Sequence, residues 1–250
     1  MHANLRTVAA TDSTKRPKGI TLVQLILLTA IVCVLGALLL PSVRRSGEAA
    51  RRSQCRNNLK QISLALLNYV DAYHALPPAY TVDADGKPLH SWRTLILPYL
   101  EQKALYDTID LTKAWDDPVN AAAFKTRVEV FVCPSSAIES PNHTTYMAVV
   151  TPTSCFRPID PRPLSEITDD HSRSLLVVEM NSDHSVPWMA PRDADEAQFL
   201  AINMESKLGH WGGVQAVFLD GHVVFLNATM PADTRRALIS IDGNDPVEIW

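Results

Sequence analysis

The chain has 250 residues and a formal net charge of −4 at neutral pH, enough length for one sizeable core and no global basic field for nucleic acid. Hydrophobic residues make up 46% of it, which excludes an intrinsically disordered chain. No nucleic-acid partner is expected.

In chain order the first feature is a basic stretch with Arg6, Lys15, Arg16 and Lys18, followed by ITLVQLILLTAIVCVLGALLL from Ile20 to Leu40 without a charged residue. Such a run is about as long as a helix needs to cross the hydrocarbon core of a bilayer. It exceeds the apolar segment of an ordinary signal peptide, and its far end, Leu38 to Pro41, offers no small-x-small cleavage site. The run is therefore expected to remain as an anchor. Thr21 and Thr29 can return their hydroxyls to the helix backbone, whereas the amide of Gln24 calls for a partner. Arg44, Arg45, Arg51, Arg52, Arg56 and Lys60 follow the run, so the positive-inside rule does not orient it; these cations read as a solvated helix face or lipid headgroup contacts.

Beyond Pro41 the pattern stays helical, because Leu59, Ile62, Leu66, Tyr69 and Tyr73 recur at three- and four-residue spacings on one face. Leu76-Pro77-Pro78 ends this helix. The middle of the chain alternates short apolar runs with breakers: Thr94 to Leu97, a helix from Glu101 to Tyr106, then Val128 to Val132, Tyr146 to Val150 and Leu175 to Val178. Residues 152–163, rich in proline, read as an ordered surface loop. Near the end, Val214 to Phe218 and Val223 to Leu226 flank Asp220-Gly221, the signal of a two-residue type I′ hairpin that would set Val217 opposite Val224 and Leu219 opposite His222. Pro231 opens a last helix through about Ile239, with Thr229 as a cap. The fold class is α+β.

His210-Trp211-Gly212-Gly213 can form a ligand loop or a tight entry to the hairpin, and the structural reading is preferred because glycines permit tight turns. No Ser or Cys stands in a nucleophile context near it. Asp169, Asp170, His171, Glu179, Asp183 and His184 offer oxygen and imidazole groups, yet their spacing matches no calcium or zinc motif. No metal, no cofactor and no catalytic residue is assigned, and no enzyme activity is expected.

Lys18-Gly19-Ile20-Thr21-Leu22-Val23-Gln24 resembles the leader of type IV prepilins and pseudopilins. The resemblance implies cleavage between Gly19 and Ile20 by a prepilin peptidase, with the helix retained in the bilayer. The soluble part then lies outside the cytoplasm. Pro41 stands where many pilins carry a kinking proline. The family has Glu at the position of Gln24, where it contacts the amine of a neighbouring subunit; the amide keeps the hydrogen bond and loses the charge.

Further segments resemble a large prepilin-like bacterial family of unknown function. They are Arg51 to Ile62, Ser91-Trp92-Arg93 through Leu97 to Gln102, Val132-Cys133-Pro134-Ser135, and an H-x(9)-D-G signature formed by His210, Asp220 and Gly221. The resemblance runs from Gly19 to about Asp242. It implies a pilin-like fold: a leader (1–19), a transmembrane helix (20–41), an amphipathic extension (42–76) and a globular α+β domain (77–250) with an antiparallel sheet. Cys55 and Cys133 fall within the motif segments, which makes a bridge between them the preferred pairing, although spacing alone fixes no connectivity.

The expectation is a single-pass protein of the bacterial inner membrane with a periplasmic or extracellular domain, acting as a pseudopilin-type subunit of an envelope or secretion assembly. Its partners are the prepilin peptidase, the lipid bilayer and other pilin-like subunits. The alternative is a non-polymerising, membrane-tethered module that captures a ligand, which Gln24 favours.

Overall fold

The computed structural model describes the backbone of residues 21–243 and, apart from 36–46, their side chains. The expected leader and the cleavage position Gly19-Ile20 lie outside the described residues. The chain divides into two compact units, Met1–Gly47 and Glu48–Trp250.

The elements in chain order are α1 (Leu22–Tyr73), β1 (Ala75–Leu76), β2 (Tyr80–Val82), β3 (Pro88–Ser91), α2 (Trp92–Leu95), α3 (Lys103–Tyr106), α4 (Ala121–Lys125), β4 (His143–Thr144), β5 (Tyr146–Met147), β6 (Arg162–Pro163), β7 (Leu175–Glu179), β8 (Val186–Pro187), α5 (Glu196–Leu200), β9 (Gly213–Phe218), β10 (Val223–Asn227) and α6 (Ala232–Ile239). All ladders between these strands are antiparallel, so the class is mixed α+β.

In the first unit, Thr21 and Gln24 close a reciprocal cap at the start of α1. The Thr21 N–H donates to Gln24 Oε1 at 3.0 Å, and the Gln24 N–H donates to Thr21 Oγ1 at 3.4 Å. Ser/Thr followed three residues on by Glu/Gln is the capping-box pattern, which satisfies otherwise orphaned amides of a first turn. Thr29 returns its hydroxyl to the carbonyls of Leu25 and Ile26, as expected of it. From Leu22, 73% exposed, to Leu35, 54% exposed, the large apolar side chains stand open around the whole helix. Among the described residues no helix is long and apolar enough to cross a membrane. The span expected at residues 20–41 starts outside them, and its side chains from position 36 onward do so as well.

The second unit is built around a four-stranded sheet in the order β10-β9-β7-β5. On one face the α1 side chains Cys55, Leu59, Ile62, Leu66 and Val70 join Tyr146, Val177, Val217 and Val223 of the sheet, together with Trp92, Phe131, Phe156 and Trp188. On the other face, Phe199 of α5 and Leu238 and Ile239 of α6 pack on Met147, Val178, Ala216, Phe218 and Leu226. The sheet is thus the middle of three layers, which explains why its strands are apolar on both faces. Arg235 of α6 is buried and donates to the carbonyls of Phe199, Leu200, Ile202 and Ala228, closing the carbonyl end of α5.

The Ser91-Trp92-Arg93 segment is explained by burial. Ser91 Oγ donates to the Trp188 carbonyl at 2.7 Å, Trp92 Nε1 to Asp193 Oδ1 at 3.0 Å, and Arg93 pairs with Asp193 at 2.5 Å while reaching the Tyr146 carbonyl at 3.0 Å. Asp193 also accepts the Ala148 amide at 2.9 Å. One ion pair thereby ties α2 to the sheet layer.

Several expectations are corrected. Helix α1 ends at Tyr73, because His74 takes a left-handed φ of 60° and Ala75-Leu76 pair with Arg162-Pro163 as a short ladder. The proline-rich loop therefore contributes a strand. Leu59, Ile62 and Leu66 are fully buried as expected, but Tyr73 is 62% exposed, its ring lying 4.3 Å from that of Tyr69. The apolar run Val128 to Val132 is shaped by a 3₁₀ turn at Glu129–Phe131, which buries Val128 and Phe131 three residues apart.

The hairpin is slipped by one residue from the expected register. Val217 faces Val223 and Ala216 faces Val224, leaving a three-residue loop closed by the Gly221 amide on the Phe218 carbonyl at 2.9 Å. A type I′ turn needs two residues with positive φ, and here only Gly221, at 86°, has one. Asp220 instead accepts the His222 amide at 3.0 Å. Thr229 is not the α6 cap; its hydroxyl donates to Asn227, and Pro231 holds the cap position.

Candidate functional site

The site forms where α1 crosses the base of the β9–β10 hairpin. Cys55 on α1 and Cys133 are joined by a disulfide with Cα atoms 5.2 Å apart, buried on both sides. His210 and Glu179 lie beside it, and the two sulfurs, one imidazole nitrogen and one carboxylate oxygen all fall within 4.8 Å of one another.

Each side chain is aimed there for a local reason. The β7–β9 ladder slips between Leu175 and Val177. Strict alternation would put Leu175, Val177 and Glu179 on one face; the irregularity sends Leu175 toward α5 and α6, and Val177 toward α1. Glu179 then sits among the cysteines. Its Oε1 accepts Ser136 Oγ at 3.1 Å, while its buried Oε2 has no hydrogen-bond partner. A Cβ at position 209 would stand 2.5 Å from Glu179 Oε1, so only glycine lets this carboxylate and the loop approach so closely.

His210 bridges to Gly213 at the entrance of β9 and is buried. Its Nδ1 is 3.0 Å from Glu48 Oε1, and its Nε2 is 3.6 Å from Cys133 Sγ and 3.5 Å from Glu179 Oε2. Glu48 is held from two other sides, by Arg51 at 2.7 Å and by Ser135 Oγ at 3.4 Å. Arg52 donates to the Trp211 carbonyl at 2.9 Å and lies 4.5 Å over the Phe225 ring. These two arginines are thus engaged by the protein itself, with Arg51 still half exposed as a solvated helix face requires.

Burial dominates the electrostatics. It pushes the Glu179 carboxyl up to about 7, against the hydrogen bonds from Ser136 and the Gln215 amide. Burial also lowers the His210 imidazole, opposed by Glu48. At Glu48 the partial burial works upward, yet the bonds with His210 and Arg51 outweigh it and hold the carboxyl below its ordinary value. The arrangement favours a neutral imidazole that donates from Nδ1 and presents the lone pair of Nε2 to the interior.

Of the residues singled out in the sequence, Cys55, Cys133 and His210 are brought together here. Asp220 and Gly221, ten and eleven residues after His210, form the hairpin tip, where a Cβ on Gly221 would lie 3.3 Å from Ser63 of α1. Gln24 caps α1 in the first unit. The acidic loop segment does not assemble: Asp170 accepts the Ser172 amide, Asp183 pairs with Lys207 at 3.0 Å, and Glu179 alone turns inward. Glu48 escaped the sequence reading. It is the single acid among the cations of residues 44–60, which is a signal for a dedicated partner.

Residues 45–158, under half of the chain, match the family described as Protein of unknown function (DUF1559). This bacterial family covers Glu48, Cys55 and Cys133, and the match ends before Glu179 and His210. No curated protein and no solved structure matches the chain.

Proposed function

We propose that the chain is a prepilin-like, membrane-anchored protein whose larger unit lies outside the cytoplasm, as a pseudopilin-type structural subunit of an envelope or secretion assembly. In this reading a prepilin peptidase cuts between Gly19 and Ile20, and residues 20–41 sit in the inner membrane. The observation that carries it is the apolar surface of α1 between Leu22 and Leu35, exposed on every side within a helix whose first turn is already capped. Water opposes such a surface, whereas lipid and neighbouring apolar helices accept it. The buried Cys55–Cys133 disulfide supports an oxidising compartment for the larger unit.

One observation favours the second reading, a non-polymerising tethered module that captures a ligand. Gln24, at the position of the family's assembly carboxylate, carries no charge, and its amide oxygen is spent on the Thr21 amide. N-terminal mass spectrometry of the membrane-extracted chain tests the common premise of both. A mature chain beginning at Ile20 supports it, and an uncut Met1 form removes it. Crosslinking through cysteines introduced along 22–35 then separates the two: side-by-side pairs support the subunit, and their absence supports the tethered module.

A further inference from the structure

We propose that Cys55, Cys133, His210 and Glu179, with the cysteines in the dithiol form, are a binding site for one borderline-soft divalent cation of the zinc class, and that the disulfide is its closed, metal-free state. The four donor atoms converge within 4.8 Å, all from buried side chains. His210 Nε2 stands 3.6 Å from Cys133 Sγ and 3.5 Å from Glu179 Oε2. An N–H···O contact at the latter distance is too long for a strong hydrogen bond. Both distances instead suit the edges of a tetrahedron around an ion with bonds of about 2.0–2.3 Å, which are roughly 3.3–3.8 Å long.

Two further observations point to a ligand. Glu179 Oε2 is buried, unpartnered and aimed into the cluster, and a protein seldom strands a carboxylate oxygen in this way. His210 gives Nδ1 to the Glu48 carboxylate, which leaves the Nε2 lone pair facing the sulfurs. A carboxylate behind an imidazole is how metal-binding histidines are oriented, so Glu48 is a positioning residue. Two sulfurs, one nitrogen and one oxygen select zinc or cobalt over magnesium or calcium.

The chemistry balances as follows. A dithiol reductant transfers two electrons and two protons to the Cys55–Cys133 bond and leaves as its own disulfide. The cation then displaces both thiol protons as it binds the two thiolates, neutral His210 and the Glu179 carboxylate. Exchange with a disulfide oxidant re-forms the Cys55–Cys133 bond, converts the oxidant to two thiols with two protons from water, and releases the cation.

The test uses the full chain in a Cys33→Ser background, since Cys33 is exposed and Cys155 is buried. After reduction with a phosphine, Co²⁺ is titrated in without oxygen. The expected result is one Co²⁺ per chain, with tetrahedral d–d absorption and a sulfur-to-cobalt charge-transfer band that Zn²⁺ abolishes, and no binding by the oxidised chain. His210→Ala and Glu179→Gln should each weaken binding at least about tenfold, and Glu48→Gln by about tenfold to a hundredfold. The proposal is overturned by a reduced chain with two freed thiols and no charge-transfer band, or by affinity unchanged in both ligand variants, which marks coordination by the thiols alone. It is equally overturned if reduction unfolds the chain and neither Co²⁺ nor Zn²⁺ restores it, because a cation bound only by the folded form must stabilise it.

Discussion

Nδ1 of His210 lies 3.0 Å from Oε1 of Glu48, although 162 positions separate the two residues. The contact fastens the first turns of α1 in the larger unit to the loop that enters β9. It also fixes which imidazole nitrogen faces the Cys55–Cys133 sulfurs. The segment from His210 to Gly221 therefore holds two devices: an imidazole set into a buried cluster at one end, and a three-residue turn at the other.

Gly209→Ala should reveal how tightly that cluster is built. A methyl 2.5 Å from Glu179 Oε1 and 2.8 Å from Ser136 Oγ forces both side chains to move. The expected cost is about 1–3 kcal/mol in urea denaturation. Glu179→Ala removes the first clash, so the double variant should be more stable than the sum of the single effects predicts. Strict additivity would show that the two positions are not coupled.

The Arg93–Asp193 pair is buried at both ends, with side chains 0% and 4% exposed. Arg93→Met leaves the Asp193 carboxylate, among the described residues, with the Trp92 and Ala148 donors, and removing one partner of such a pair costs about 3–5 kcal/mol. Trp92 and Trp188 are both buried in this core, so their fluorescence follows the unfolding directly.

His90 gives a pH dependence with a defined sign. It is fully buried, with Nε2 at 2.8 Å from the Lys113 carbonyl and Nδ1 without a hydrogen-bond partner, and burial lowers its pKa below 6.5. The unfolded chain thus takes up the proton first as pH falls. The stability contributed by neutral His90 is complete above pH 6.5 and is lost progressively below it. Denaturation midpoints should fall on acidification over this range, and His90→Gln should flatten the decline; an unchanged slope would count against this assignment.

At the start of α1, Thr21→Ala should lose about 1 kcal/mol of helix stability by breaking the cap with Gln24. Gln24→Glu keeps an oxygen for the Thr21 amide and adds a charge favourable at a helix N-terminus. It should leave helicity intact while increasing crosslinks between neighbouring chains. Unchanged crosslinking would count against the subunit reading and leave the cap unaffected.

Much of the fold was legible in the sequence because it depends on neighbours along the chain. The spacing of Leu59, Ile62 and Leu66 marks the buried face of α1, and Asp220-Gly221 marks a turn between two apolar runs. The register of that hairpin was not legible, since Asp-Gly suits both a two-residue and a three-residue loop. Packing of Val217 and Val223 beneath α1 decides between them. Val128 to Val132 is a similar case: its apolar content suits a strand, yet burial of residues three apart makes it a 3₁₀ turn.

The cluster itself was decided only by tertiary structure. The Cys55–Cys133 pairing and His210 stood out in the sequence separately, but the approach of Glu48 to His210 comes from a contact 162 positions apart, and the inward turn of Glu179 depends on a ladder slip in β7 and on a glycine at 209 that no local pattern announces. Propensity and periodicity act over a few residues, whereas donor convergence is set by how distant segments pack. By itself the sequence determined the α+β class, the apolar run at Ile20 to Leu40 and the helical face after it; the three-layer packing determined that four side chains from four separate segments share one buried place, with Glu48 at its edge.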